Sequence, residues 1–146
     1  MPWIVRRMAV RATQQAFTVS AAAVISNPDG KVLLLDHVIR PKSGWGLPGG
    51  FLNRGEQPAE GIRREIREEI GLELERLRLI RVRAVGTHLE ILYTADSNGD
   101  AEIKSREIKD FGWFGPAEFP VRMNDAQKRL IQDVLNGEFE KSPPAY

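Results

Sequence analysis

The sequence predicts an α+β fold in which a mixed β-sheet is covered by helices on both faces. Short apolar and β-branched segments, which are typical of strands, occur together with longer segments in which apolar residues recur at helical spacing. Their order along the chain is strands, helix, strands, helix. Clusters of Gly, Asn, Asp and Pro separate the segments and indicate turns.

The first part of the chain predicts a β-hairpin. Residues 1–15 are mixed basic and apolar, which is typical of an added strand or an N-terminal arm. Residues 17–25 indicate a buried strand, and residues 31–35 indicate the strand that returns. Between them, residues 27–30 predict a turn, because this segment contains a proline that presets φ and a glycine that accepts positive φ.

A loop at residues 40–46 precedes the first predicted helix, Pro58–Ile70. Proline is favoured in the first turn of a helix and glycine just beyond its end, where Gly71 stands. The helix therefore has a start signal and a stop signal in the sequence.

The second half predicts further strands and a closing helix. Residues 74–93 indicate two strands that break near Gly86, and residues 96–100 indicate a turn. Residues 111–114 predict a short strand. Residues 124–135 predict the closing helix, with Asn124 or Asp125 as the N-cap.

Composition restricts the class of protein. The 146 residues are expected to form a single domain, residues 1–146, that buries a core without disulfides. A net charge of +1, from 21 basic and 20 acidic residues, disfavours bulk binding of nucleic acid. Because cysteine is absent and the only histidines are His37 and His88, a bound metal is expected to be a hard, oxygen-ligated ion such as Mg²⁺ or Mn²⁺.

No membrane partner is expected, since no apolar run approaches the length of about 18 residues that a membrane span needs. The first residues lack the continuous apolar segment and the cleavage site of a signal peptide. We therefore expect a cytoplasmic protein.

Three carboxylates share one face of the predicted helix Pro58–Ile70. Glu65, Glu68 and Glu69 lie beside the apolar stripe, and positions three and four apart are neighbours on a helix. Like charges at that spacing repel unless a cation compensates. Two interpretations remain open for the helix alone: a divalent ion held by these side chains, or a solvated acidic face.

A glycine-rich segment immediately precedes this helix. Gly49 and Gly50 let the backbone approach a ligand closely and expose its carbonyls, and Gly55 allows the turn into the helix. Such a segment followed by a carboxylate-rich helix is suited to binding a metal ion together with phosphates.

These residues together resemble the Nudix box. The spacing is Gly50, five residues, Glu56, seven residues, Arg64-Glu65-Ile66, one residue, Glu68-Glu69, one residue, Gly71-Leu72, without a departure. The flanking Trp45-Gly46-Leu47-Pro48-Gly49-Gly50 and Trp113-Phe114 are also similar to the family's usual flanks. The resemblance extends over residues 17–135. Inside the box, Gln57 replaces a better N-capping residue and Gly61 interrupts the helix, but neither change affects a carboxylate.

The resemblance implies a fold, a reaction and a set of roles. The fold is an α/β/α sandwich around a mixed sheet, and the reaction is Mg²⁺-dependent hydrolysis of a pyrophosphate bond in a nucleoside diphosphate linked to another group, with Mn²⁺ able to substitute. The implied metal ligands are Glu65, Glu68, Glu69 and the carbonyl of Gly49. Arg64 orients a carboxylate, and Glu56 supports the junction between loop and helix.

The general base is open between two positions. Glu107 stands before a later strand, at a place that resembles one of the family's locations for this base, and a solvated turn is the alternative. If Glu107 is not the base, Glu68 on the box helix is the first candidate.

Substrate-binding candidates lie outside the helix. Arg40 and Lys42 precede the glycine segment and are candidates for the substrate phosphates, together with Gly49 and Gly50. His88 and Glu90 share one face of a strand, so they either line the pocket or are exposed. For Trp45, core packing is favoured over stacking on a base, and for Asn124, helix capping is favoured over base recognition.

The sequence leaves the substrate open within the nucleoside diphosphate class. The additional signatures of the ADP-ribose, dinucleoside-polyphosphate, NADH and RNA-decapping subfamilies are absent. A nucleoside triphosphate is favoured slightly over a nucleotide sugar of the ADP-ribose type. A non-catalytic nucleotide-binding domain and a partner-binding acidic helix are the rival interpretations, and a homodimer is left open.

Overall fold

The computed structural model describes residues 2–39 and 44–141. In chain order the elements are α1 Trp3–Thr13, β1 Thr18–Ser26, β2 Val32–His37, β3 Trp45–Gly46, β4 Gly49–Phe51, α2 Pro58–Ile70, β5 Glu75–Val85, β6 His88–Asp96, β7 Ile108–Phe114, α3 Asp125–Leu135 and α4 Glu138–Lys141. The predicted α+β class is confirmed. In the part of the chain that is described, no helix has the length and apolar character needed to cross a membrane.

The strands of the described residues form one seven-stranded mixed sheet. Its order is β3-β2-β1-β6-β5, with β4 paired to β1 and β7 paired to β2. The central pair, β1 and β6, is parallel from Thr18↔His88 to Ser26↔Asp96. The other pairs are antiparallel, as the predicted hairpin and the break near Gly86 require.

Each face of the sheet buries its own core. Successive side chains of a strand point to opposite faces, and β1 shows this alternation directly. Ala23 packs in the core that contains Ile66 of α2, whereas Val24 packs in the core that contains Ile131 of α3. The sheet is therefore covered by α2 on one face and by α3 on the other, which is the predicted sandwich.

The N-terminal segment is helical and does not form the strand that its sequence allowed. Arg and Ala, which favour helices, recur in α1, and Met8 favours a helix as well. No residue of α1 is buried, and the side chains of Trp3 and Met8 are 67% and 66% exposed. The segment is thus an arm in helical form that contributes nothing to either core.

The segment before α2, in which no strand was predicted, contains two short strands. β3 pairs with β2 through Leu35↔Gly46 and Asp36↔Trp45. β4 adds to β1 through three consecutive pairs. Glycine is depleted in strands, so the residues of β4 gave no strand signal in the sequence. Similarly, β7 begins at Ile108, three positions before the predicted start of that strand.

Candidate active site

The box helix α2 has the predicted bounds, and its sequence explains why. Ile62 and Ile66 are fully buried against the sheet, and they fix which side of the helix faces the core. Gly71 adopts φ 73°, a left-handed conformation, and its N–H donates to the carbonyls of Ile66 and Arg67. These features hold the neighbouring arc of the helix, with its carboxylates, in a fixed orientation.

The three predicted carboxylates lie on this arc in a gradient of burial. Glu69 is 4% exposed and lies next to the core. The side chain of Glu65 is 15% exposed, and that of Glu68 is 60% exposed. The three carboxyl groups therefore extend across the helix surface from the interior to the solvent.

Arg64 connects the two more exposed carboxylates, Glu65 and Glu68. Its Nη1 atom lies 2.9 Å from Glu65 Oε1 and 3.1 Å from Glu68 Oε2. Its Nε and Nη2 atoms bind the two carboxylate oxygens of Glu56 at 2.7 and 3.0 Å, and Nη2 also donates to the carbonyl of Phe51 at 3.2 Å. Arg64 thus joins the helix to β4 and to the loop between them.

Glu56 is the anchor of this arrangement. The hydrogen bond from Arg64, and then the backbone N–H of Asn53, lower the pKa of Glu56 from its ordinary value of 4.5 to about 2. The predicted support of the loop–helix junction by Glu56 through Arg64 is seen directly in these contacts.

The structure explains one of the two departures inside the box, the glycine at position 61. A Cβ at this buried position would overlap the Leu52 side chain and come within 3.0 Å of Glu56 Oε1. Glycine therefore leaves room for the carboxylate that holds Arg64. The other departure, Gln57, makes no side-chain cap, so the helix begins with Pro58 alone as its start signal.

The two glycines of β4 touch the carboxylates directly. A Cβ on Gly50 would lie 2.6 Å from Glu65 Cδ, so only glycine allows the strand to lie this close to that carboxylate. The backbone N–H of Gly49 donates to Glu69 Oε2 at 3.3 Å. Gly49 has φ 148°, and a Cβ there would lie 2.8 Å from the Cα of Ala22 on β1. Strand β4 and helix α2 consequently share one surface.

Glu65 and Glu107 are electrostatically coupled. Burial raises the pKa of Glu65; Arg64 opposes this shift, and the negative charges of Glu68 and Glu107 add to it. The backbone carbonyl of the exposed Glu107 accepts a hydrogen bond from the N–H of Val38 at 2.8 Å. The chain thus brings Glu107 within electrostatic range of the box helix from a distant part of the sequence.

The donor chemistry of the arc fits a hard divalent cation, because carboxylate oxygens are the ligands that Mg²⁺ prefers. In the present arrangement the carboxylates bind N–H groups of Arg64 and Gly49. Among the described residues, no three acidic or histidine side chains are gathered closely enough to hold a metal ion. These three carboxylates are therefore held by N–H donors in this arrangement.

A cleft of about 1200 Å³ opens on the α3 face of the sheet. It is lined by side chains of β1, β5 and β6, by Trp45 and Leu47 beside β4, and by the first turn of α3. The strand register places Gly49, Ala22, Leu92 and Arg81 in one row across β4, β1, β6 and β5. The row begins at the glycine strand that touches the carboxylates and ends inside the cleft.

The other predicted residues divide between the cleft and structural roles. Glu90 lines the cleft and forms an ion pair with Arg83 at 2.6 Å. His88 lies beside Ser20 and Thr18, whose hydroxyl oxygens are 2.8 and 2.6 Å from its two ring nitrogens.

Trp45 and Asn124 each have a structural role and also line the cleft. The Trp45 ring packs edge-on against Phe114, with centroids 5.4 Å apart, and it also lines the cleft. The Asn124 side chain caps α3 by accepting from the N–H groups of Ala126 and Gln127, and it lies at the cleft as well. Core packing and capping were the predicted roles of these two residues.

Two cleft arginines, Arg81 and Arg83, were not singled out from the sequence. Their alternation in β5 was the available signal, but two bulges in the β5–β6 pairing change which residues share a face. The predicted phosphate ligands Arg40 and Lys42 lie outside the described residues.

The structure places a mixed sheet between helices, with a glycine strand pressed against a carboxylate-bearing helix. Comparison with known proteins identifies the family. The NUDIX domain model matches residues 16–134. A "MutT-like protein" of Streptomyces ambofaciens is 32% identical over 123 residues, which cover 82% of this chain and 78% of that protein. A Bacillus subtilis (strain 168) protein, named as a candidate 8-oxo-dGTP diphosphatase, is 27% identical over 83% of this chain and 82% of its own length.

Solved structures agree with the sequence relatives. The MutT NUDIX hydrolase from Burkholderia pseudomallei superposes with a TM-score of 0.70 and 29% identity, covering 80% of this chain and 97% of that one. The chain belongs to the Nudix family and is a Nudix hydrolase.

Proposed function

We propose that this Nudix hydrolase cleaves a pyrophosphate bond of a nucleoside triphosphate with the help of Mg²⁺. The observation that carries the proposal is the contact between β4 and α2, where Gly50 lies against Glu65 and the Gly49 N–H binds Glu69. A diphosphate laid on Gly49 and Gly50 lies beside Glu65 and Glu69, since neither glycine has a side chain that would stand between them.

Glu65, Glu68, Glu69 and the carbonyl of Gly49 are the proposed ligands of the ion. Bound there, Mg²⁺ supplies neutralisation of phosphate charge and lowers the pKa of water. Arg64 keeps Glu65 and Glu68 in place through its Nη1 atom, and Glu56 fixes Arg64 in turn. Arg64 is therefore a positioning residue in this proposal.

Glu107 is the proposed general base. Two observations support this proposal: Glu107 is exposed, and its charge contributes to raising the pKa of Glu65. Glu68 is the alternative base, because it is the most exposed of the three helix carboxylates.

The cleft on the α3 face is the proposed site of the nucleoside. It adjoins β4 through β1, because Ala22 pairs with Gly49 and lines the cleft, so a nucleotide with its diphosphate on Gly49 extends into it. Among the residues that line the cleft, Trp45 offers an aromatic surface and Asn124 offers an amide. A non-catalytic binding domain is disfavoured, because every carboxylate of the box is present.

The test is a screen of nucleoside triphosphates and nucleotide sugars with Mg²⁺, Mn²⁺ or EDTA, with release of pyrophosphate or phosphate as the readout. Glu69→Gln keeps the shape of the side chain but removes its charge, so turnover should fall at least about a hundredfold. Glu60→Gln, on the exposed first turn of the same helix, is the matched control and should retain wild-type turnover.

Three outcomes contradict the proposal: full turnover in EDTA, full turnover in Glu69→Gln, or no hydrolysis of any triphosphate. Faster hydrolysis of a nucleotide sugar than of every triphosphate would keep the metal site and change the substrate.

A further inference from the structure

Helix α1 lies outside the part of the chain that defines the family. The NUDIX domain model matches residues 16–134, and α1 ends at Thr13. No residue of α1 is buried, so neither core of the domain includes the helix. An isolated helix of fewer than about 12–15 residues is marginal in water, and α1 has 11 residues. A surface that buries the apolar side chains of α1 would therefore stabilise it.

Most of the apolar side chains of α1 lie on one side of the helix. At about 100° per residue, Ile4, Met8 and Ala12 follow one another along the helix, with Val5 and Ala9 beside them. Together they form an apolar stripe that spans an arc of about 140°. The side chains of Ile4, Val5 and Met8 are all exposed, so the described part of the protein leaves this stripe uncovered.

The other side of α1 is basic. It carries Arg6, Arg7 and Arg11, of which the last two border the apolar stripe next to Ile4. The guanidinium of Arg7 lies over the ring of Trp3, with Cζ 5.9 Å from the ring centre. The first acidic residue of the chain is Asp29, so no neighbour in sequence neutralises the three arginines. The helix thus combines an exposed apolar stripe with three positive charges.

We propose that α1 binds the surface of an anionic lipid bilayer and lies in the plane of the interface. In this orientation the apolar stripe enters the boundary between headgroups and acyl chains, and the arginines that border it extend to the lipid phosphates. Each basic side chain near an anionic leaflet adds attraction, so the charge of the helix complements this surface. Two copies of α1 packed together would place arginine against arginine, and a nucleic acid would leave the apolar stripe in water.

This binding mode requires no membrane span. The absence of a long apolar run, on which the expectation of no membrane partner rests, concerns only segments that cross the bilayer. At 1.5 Å per residue, α1 is about 16 Å long, whereas the hydrocarbon core is about 30 Å thick. The proposal goes beyond the reaction and does not depend on its substrate, because α1 contributes no residue to the box or to the lining of the cleft.

The test is binding of the full chain to lipid vesicles, measured by flotation. One set of vesicles contains phosphatidylcholine alone, and the other contains equal parts of phosphatidylcholine and the anionic phosphatidylglycerol. The wild type should bind the anionic vesicles at least about tenfold more tightly, since three arginines contribute to the attraction.

Two matched substitutions test the orientation of the helix. Met8→Gln and Val10→Gln both replace an exposed apolar side chain of α1 by the same polar one, but Met8 lies in the apolar stripe and Val10 lies on the arginine side. Met8→Gln should weaken binding to anionic vesicles at least about fivefold, because its side chain no longer gains from burial. Val10→Gln should bind like the wild type.

The contribution of charge is tested by replacing two arginines together. Arg7→Gln combined with Arg11→Gln should remove most of the preference for anionic vesicles, whereas Arg54→Gln, at an exposed position outside α1, should keep it. Since no residue of α1 is buried, the substitutions in α1 should leave the melting temperature unchanged, so a loss of binding reports on the surface of the helix and not on folding.

Three results would overturn the proposal. The first is that the wild type does not bind anionic vesicles, which would favour an acidic protein as the partner of α1. The second is equal affinity for the two kinds of vesicle. The third is equal affinity of Met8→Gln and Val10→Gln, because the stripe would then make no contact with the bilayer.

Discussion

Replacing Gly50 by alanine tests whether the contact between the glycine strand and the helix sets the position of a functional carboxylate. Gly50 has an extended backbone that alanine adopts freely, so the substitution acts through space and not through φ. The new Cβ would lie 2.6 Å from Glu65 Cδ, and ordinary contact begins at 3.4 Å, so the carboxylate must move by about 0.8 Å. A displacement of about 1 Å at a reacting group costs up to about a hundredfold in rate. We therefore expect kcat/KM to fall roughly tenfold to a hundredfold.

The stability of the same variant should change little. Alanine lowers the entropy of the unfolded chain, which stabilises by about 0.4–1 kcal/mol, and the displaced Glu65 side chain offsets this gain. The control is Gly115→Ala, whose Cβ would lie 3.2 Å from the carboxylate of Glu118, outside the site. The assays are steady-state kinetics with varied Mg²⁺ and a thermal melt. If Gly50→Ala and Gly115→Ala both retain kcat/KM within threefold of wild type, the strand does not position Glu65 for function.

Two further predictions concern Glu107 and Glu56. Glu107→Gln should lower kcat by about 10²–10⁴ with little change in KM, because a general base acts in the transition state; a loss of less than threefold would move the base to Glu68. Glu56 is ionised in the folded protein down to a pKa of about 2 against an ordinary 4.5, so its contribution to stability is complete above pH 4.5 and is lost as pH falls toward 2. The melting temperature of Glu56→Gln should accordingly lie below that of the wild type at pH 7, and the two melting temperatures should converge in acid. A difference in melting temperature that does not depend on pH would show that the ion pair with Arg64 does not cause it.

Local patterns account for the parts of the fold that the sequence predicts well. The bounds of α2 follow from Pro58, the isoleucine stripe and Gly71, all of which act within one helix. The same periodicity predicts that Glu65, Glu68 and Glu69 share a face, and the structure confirms that arrangement. Whether these side chains bind a metal stays a prediction.

The remaining parts depend on pairing between distant segments. β4 forms because β1 offers a free edge, and its glycines carry no strand signal of their own. Arg81 joins the cleft only because of the bulges in the β5–β6 ladder, which no pattern in β5 alone reveals. The proximity of Glu107 to Glu65 likewise results from packing between segments far apart in sequence. Helix α1 buries no residue, so nothing in the core constrains its conformation or marks it in the sequence.

The parallel pairing of β1 with β6 has a consequence for how the protein folds. Every pair in this ladder joins residues 70 positions apart, such as Thr18 and His88. The chain must therefore close a long loop before its two central strands form hydrogen bonds with each other, and folding dominated by such non-local contacts is slow compared with that of helical proteins. The glycine strand and the box helix both lie inside this loop. An excised peptide of Pro58–Ile70 would carry the three carboxylates without the strand that orders them, so the site is complete only when β4 has paired with β1.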